Sequence, residues 1–372
     1  MVINPPKQCE QKLFDAIAYL GKFPACILPR LIPSVVSLKK VLTGLMVNGI
    51  INICNNDGIS GYRLSLQGVE ELLAIDRLAY APYIGGEASC NIECQTDALT
   101  MAEIYTTMHN AGVSMLKDMK QYIYPHPFDV QVESPCADDI AYPSFYSQQE
   151  LCENDTETTN AIRNSKLIGL LLTSVNAFAI YSENMLVTNW RTEKEQQIKN
   201  IVQGICEQRF PNQYDNIDGI VFGVDLGEMF CCFEENMYYN QSAGNCLSTV
   251  YQPLYCITND VFGEMQLQLL CDSDYLARFK SAALSGLCPC DGIEPIVYDA
   301  ITEDDRPVLF GCIPDVQKLI AFKSQLSTCE KIGRVIIFDF QKSAFGSFFG
   351  DSVELVTLNS KHAFAQFCSK AA

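Results

Sequence analysis

The residues best suited to chemistry lie in one stretch near the C-terminus, Phe338-Asp339-Phe340-Gln341-Lys342. An acid at a strand end followed by a lysine is the raw material of a metal-dependent nuclease of the PD-(D/E)xK type. There two carboxylates hold Mg²⁺ and the lysine helps activate water. Here the spacing is Asp-x-x-Lys, and Gln341 stands where the second acid belongs. Asp339 and Lys342 are therefore candidates for a minor reading, and a degenerate nuclease-like domain that binds without cutting is the simpler one. Asp315, and Asp225 with Glu228, are acids at other strand or helix ends. They read as helix caps, since a carboxylate at a helix N-terminus is favoured by the dipole.

Other chemistries lack their residues. The three histidines, His109, His126 and His362, are isolated, so a histidine-cluster relaxase has no metal site despite seventeen tyrosines. No Gly-x4-Gly-Lys-Ser/Thr loop and no Gly-x-Ser-x-Gly elbow occurs, and Gly219, Gly223 and Gly227 are spaced wrongly for a dinucleotide turn. Eighteen cysteines are present. Cys90-x3-Cys94, Cys288-x-Cys290 and adjacent Cys231-Cys232 do not make the Cys-x2-Cys knuckle of a zinc ribbon. Cys54, Cys206, Cys256 and Cys312 lie in apolar runs, so reduced and mostly buried thiols are expected. No metal and no cofactor is expected. Trp190, the only tryptophan, reads as a plug between a strand and a helix, and His109 as a surface or packing residue.

The elements that position these residues must be built from 372 residues, 48% hydrophobic and 19% charged, enough to bury substantial cores. The most apolar stretch, 167–181, is broken by Thr173, Ser174 and Asn176, which argues against a membrane span. The N-terminus shows no basic region followed by an apolar run, so a cytoplasmic protein without a membrane partner is expected. Charge is uneven. Residues 1–80 hold eight Lys+Arg against six Asp+Glu, a net of +2, which leaves −20 for residues 81–372 of the total −18. Phosphate contacts should therefore come from the N-terminal part.

That part, residues 1–82, reads as a winged helix-turn-helix. Leu13, Ile17 and Leu20 share one face of a first helix, with Phe14 beside them. A short apolar segment follows, and then Ser34 is placed to cap a helix reaching about Asn48, with Val35, Leu38, Leu42, Leu45 and Met46 inward. Gly49 stops it. Ile50 to Cys54 and Tyr62 to Ser65 flank an Asn/Asp/Gly turn and predict a hairpin, the wing. A last helix covers 67–79. In such folds the third helix enters the major groove and the wing touches the backbone. The outward face carries Ser37, Lys39, Lys40, Thr43 and Asn48, with Arg30 before the helix and Arg63 on the wing. The lysines and arginines suit phosphates, and Ser37 or Asn48 suits base edges.

Residues 83–143 read as a linker, a connecting helix over 100–112 and a proline-punctuated crossing. From 144 to 372 strands and helices alternate, which predicts an α/β domain with a mixed sheet covered on both faces. Strands are expected at 167–173, 177–181, 219–224, 253–257, 295–298, 307–310, 334–339 and 353–357, the first two as a hairpin. Helices are expected at 193–204, 226–236, 261–270, 275–284, 314–326 and 361–368.

Several stretches taken in order carry a family resemblance. They are the winged helix followed by Asn110-Ala111-Gly112-Val113, Phe145-Tyr146-Ser147, Asn164-Ser165-Lys166-Leu167-Ile168-Gly169-Leu170-Leu171, and Trp190 before Glu195. Phe310-Gly311-Cys312-Ile313-Pro314-Asp315 and Ile336-Ile337-Phe338-Asp339-Phe340-Gln341 complete the set. The chain resembles the replication-relaxation family of conjugative and mobilisable elements of Gram-positive bacteria. The resemblance implies a winged-helix DNA-binding protein linked to plasmid replication or DNA transfer, and carries no catalytic residues. The expected partners are double-stranded DNA at the N-terminal domain, and a relaxase, a replication protein or a second copy at the acidic C-terminal domain. Two alternatives stand beside it: a metal-dependent nuclease or nickase on Asp339 and Lys342, and a protein-interaction module whose winged helix does not bind DNA.

Overall fold

The structure is a computed structural model describing residues 8–56, 58–84, 98–124, 143–152, 156–183, 191–239, 247–290, 297–329 and 331–371. The expected crossing over 125–142, most of the linker and Trp190 lie outside these residues. The fold is α/β, in two compact units, Met1–Ser174 and Val175–Ala372.

The first unit opens with helix α1 (Gln8–Leu20), strand β1 (Phe23–Pro24), a single turn α2 (Leu28–Leu31) and helix α3 (Val35–Val47). Strands β2 (Ile51–Asn56) and β3 (Ile59–Leu64) form the expected antiparallel hairpin, with Gly58 at φ +80 in its turn. The two-residue β1, which no sequence pattern announces, pairs with β3 and completes a three-stranded sheet in the order β1-β3-β2. A side chain at Gly61 would strike the Phe23 backbone, so this pairing needs glycine there. The single helix expected over 67–79 is two, α4 (Leu66–Ile75) and α5 (Arg77–Tyr80). Asp76 separates them: its backbone is extended and its carboxylate accepts from Ala79 N–H, so it caps rather than continues a helix.

The connecting helix α6 (Ala98–Asn110) packs against α1 through Tyr105, whose ring lies 5.3 Å from that of Tyr19. Strand β4 (Ser144–Ser147) leads into the single turn α7 (Gln148–Leu151) and the helix α8 (Thr156–Arg163), and pairs antiparallel with β5 (Gly169–Leu172).

The second unit holds two sheets where the sequence suggested one. Parallel strands β6 (Ala177–Ser182), β7 (Ile217–Gly223) and β8 (Leu254–Thr258) alternate with α9 (Thr192–Arg209) and α10 (Leu226–Tyr239). Helices α11 (Val261–Cys271) and α12 (Ser273–Ala283) lead to a second sheet, ordered β13-β12-β11-β10-β9. Its strands are β9 (Cys288–Pro289), β10 (Ala300–Ile301), β11 (Pro307–Phe310), β12 (Gly333–Phe338) and β13 (Val353–Leu358), with α13 (Val316–Cys329) and α14 (Lys342–Phe349) between the last three. β11, β12 and β13 run parallel and β9 and β10 antiparallel, so this sheet is mixed. Helix α15 (Ser360–Ala371) ends the chain. Half of the strand expected at 295–298 lies outside the described residues, and Ala300–Ile301 forms a strand whose backbone pairs with both Val308 and Pro289.

Strands β6, β7, β11 and β12 are near-continuously apolar and buried, as strands covered on two faces must be, while the edge strand β13 has no buried residue. Aromatic rings fill the space beside β12: Phe338 lies 5.6 Å from Phe279 and from Phe340, and 5.5 Å from Phe364. The described cysteines between Cys9 and Cys329 are free thiols, as expected, yet only Cys152, Cys206, Cys256 and Cys312 of them are buried. Cys26, Cys231, Cys288 and Cys329 are exposed, because an apolar neighbourhood in sequence does not select which face of a helix or loop a small thiol takes. Among the described residues no helix is long and apolar enough to cross a membrane.

Candidate nucleic-acid interface

Helix α3 begins after Ser34, whose backbone is extended and whose side chain accepts from Ser37 N–H, satisfying one of the orphan donors of the first turn. It ends at Gly49, whose φ of +69 is a conformation glycine adopts without cost. Only Val41 and Leu45 are buried, and Leu38 and Leu42 are half-buried. Val35 and Met46, expected inward, face solvent together with Val36 and Val47. The helix is apolar nearly all round, so its sequence offers two competing faces, and the packing of α1 chose the one centred on Val41 and Leu45.

Lys39, Lys40, Thr43 and Asn48 are exposed and Ser37 is half-buried. Arg63 is exposed on β3, opposite Asn52 of β2. Among the described residues Lys39, Lys40 and Arg63 form no hydrogen bond or ion pair. Three cations thus stand on a helix and an adjoining hairpin, held by packing but not neutralised.

Arg30 is placed differently. Its guanidinium donates to Thr107 Oγ1 at 3.0 Å, and its carbonyl accepts from Asn110 Nδ2 at 3.2 Å. It ties the turn before α3 to α6 across 77 positions, a pairing that no local pattern signals.

Two buried polar groupings went unseen in the sequence. Lys120 and Glu150 form an ion pair at 2.8 Å with side chains 1% and 5% exposed. The ammonium also donates to the carbonyls of Met115 and Phe145 and lies 4.8 Å from the Tyr146 ring centre. Glu150 in turn accepts from Ser147 N–H, closing a capping box on α7. That Ser-x-x-Glu signature was legible; its lysine partner, 30 residues earlier, was not. The second grouping joins α1 to α5: Tyr80 donates to Asp15 Oδ1 at 2.6 Å and Gln11 binds both. Burial raises the Asp15 carboxyl above its ordinary range. On α6, His109 stacks on Tyr105 with 5.9 Å between ring centres, and burial with the nearby Lys12 charge pulls its imidazole down to about 4.

In the second unit Asp339 is exposed at the end of β12, and its carboxylate accepts from Phe340 N–H at 3.0 Å and Ser360 N–H at 3.3 Å. Asn359 caps α15 by accepting from His362 N–H, and the hydrogen bonds from Ser360 hold the Asp339 carboxyl below the ordinary range. Lys342 is exposed one turn on. Gln341, at the position of the missing second acid, is fully buried: it accepts from Phe338 N–H at 2.8 Å and donates to Cys312 O at 3.2 Å. The residue that breaks the motif is thus a staple between β12 and the chain after β11. Asp315 accepts from Gln317 N–H and Asp225 from Glu228 N–H, as caps do. Among the described residues no group of three or more His, Cys, Asp or Glu is arranged to hold a metal ion.

Comparison with protein-family models, with curated proteins and with solved structures finds no match to this chain.

Proposed function

We propose that residues 8–84 form a winged helix that binds duplex DNA, and that the chain serves as a non-enzymatic accessory or regulatory protein of a mobile genetic element, acting in its replication or DNA transfer. The observation that carries the binding reading is the exposure of unneutralised Lys39, Lys40 and Arg63 on α3 and β3, within an N-terminal stretch of net +2 in a chain of net −18. The element order up to α4, with a short third strand beside the hairpin, supports it. The setting rests on the resemblance to the replication-relaxation family, and in it the acidic remainder engages a relaxase, a replication protein or a second copy. Few cations contact DNA in this reading, so affinity is modest and salt-sensitive.

Fluorescence anisotropy of the whole protein against duplex DNA across a salt series tests it. Binding is expected to weaken with salt, and Lys39→Ala/Lys40→Ala to reduce the slope of log K against log salt by about two. Absence of binding at low salt would overturn it. One observation favours a second reading, a protein-interaction module: Val35, Val36 and Val47 are between 74% and 80% exposed on the same helix.

A further inference from the structure

The exposed face of α3 has an order that its amphipathic reading does not use. At about 100° per residue, Thr43 and Val47 fall within about 20° of Val36 on either side, so the three lie along one line down the middle of the outward face. Lys39 lies about 60° to one side of that line and Lys40 about 40° to the other. Val36 is 80% and Val47 79% exposed, and Thr43 is exposed between them. The face is therefore an aliphatic centre bordered by an ammonium on each side.

That combination selects among occupants. An apolar groove on a protein would cover the valines, but it would also desolvate both lysines, and an unpaired buried charge is costly. The major groove of a duplex has phosphates along both walls for the two ammonium groups. Its floor carries one apolar group, the 5-methyl of thymine. Valine offers no hydrogen-bond donor or acceptor, so against guanine O6 and N7 or the cytosine amino group it leaves polar edges unpaired. A thymine methyl gives it an apolar contact that removes surface from water, which a G·C pair does not offer.

We infer that Val36, Thr43 and Val47 read thymine 5-methyl groups in the major groove, so that the preferred site is a duplex with A·T pairs facing α3 while Lys39 and Lys40 hold the flanking phosphates. This rests on the DNA-binding reading above and adds its sequence preference. Val36, in the first turn, contributes most, because the N-terminal residues of such a helix reach the base edges.

The test enriches duplexes from a random pool on the whole protein at low salt, then replaces dT by dU in the enriched duplex. That change removes only the methyl and keeps the pairing edge and O4. Enriched sites rich in A·T are expected, with affinity falling roughly fourfold per contacted methyl on dU replacement. In Val36→Ala and Val47→Ala, both solvent-facing changes, the dU penalty should shrink. Salt-sensitive binding with equal affinity for dT and dU duplexes would overturn the inference and leave the DNA-binding reading standing. A dU penalty undiminished in both variants would also overturn it, by placing the readout elsewhere. Failure to bind any duplex at low salt would overturn the underlying reading.

Discussion

Helices α3 and α9 treat their apolar residues in opposite ways. α9 spans 18 residues rich in Glu, Gln and Lys, and of its few apolar ones Ile198, Val202, Ile205 and Cys206 are buried at helical spacing and Ile201 is half-buried. Even Glu195 is buried on that face, accepting from the Tyr181 hydroxyl at 2.9 Å, with Tyr251 2.9 Å further along. α3 has eight apolar residues among 13 and buries two. Apolar content therefore does not decide burial; what lies opposite does. α9 covers a parallel sheet and needs one stripe, whereas α3 is wedged on one side by α1 and keeps aliphatic surface to spare. Surplus apolar surface that the fold does not consume is available to a ligand, and α3 presents Val35, Val36 and Val47 in this way on one helix.

The contrast predicts a graded response to truncation. The largest effect belongs to the layer beside β12. Phe338→Ala removes a fully buried ring packed among Phe279, Phe340 and Phe364, and should cost about 3–5 kcal/mol in denaturant unfolding. A loss below about 1 kcal/mol would mean that this layer is no better packed than α3.

An intermediate effect is expected at Asp218 on β7, whose carboxyl is pushed up to about 7 by burial, with Lys199 and Asn216 pulling it partly back. A folded-state value above the unfolded one, about 3.9, means that the folded protein holds this proton more tightly. Its contribution to stability is complete at acid pH and is lost as pH rises from about 4 through about 7. Asp218→Asn should therefore match the wild type near pH 4 and exceed it at pH 8 by about 1–2 kcal/mol, after discounting for partial exposure. A variant no more stable than the wild type at pH 8 would remove burial of charge as the cause. His109 works in the reverse sense: its imidazole is held down at about 4, so its share of stability is present above about 6.5 and declines as pH falls from there toward 4.

The smallest effect belongs to α3. Val36→Ala should change stability by less than about 0.5 kcal/mol, because nothing packs on that side chain. A loss above 1 kcal/mol would show that the valine is covered in solution, and would erase the difference between the two helices.

Periodicity located most helices and strands to within a few residues, because spacing of apolar residues reports the local geometry that can bury them. The Ser34 cap, the Gly49 stop and the hairpin turn were legible for the same reason: each is settled by neighbours within four positions. The candidate site was legible only in part. Lys39, Lys40, Thr43, Asn48 and Arg63 stand outward as read, while Arg30 is drawn onto α6 by Thr107 and Asn110. Gln341 could be recognised as a broken motif, but its use as a staple depends on the Cys312 carbonyl, 29 positions away.

By itself the sequence determined where backbone must turn, cap or extend, and how charge divides between the first 80 residues and the rest. Those are properties of residues and their near neighbours. Tertiary structure alone decided which face of α3 is inward, that the strands from β6 onward sort into two sheets, and that Lys120 finds Glu150. Each of these joins groups far apart along the chain, and a contact between distant groups is set by the packing of the elements that carry them.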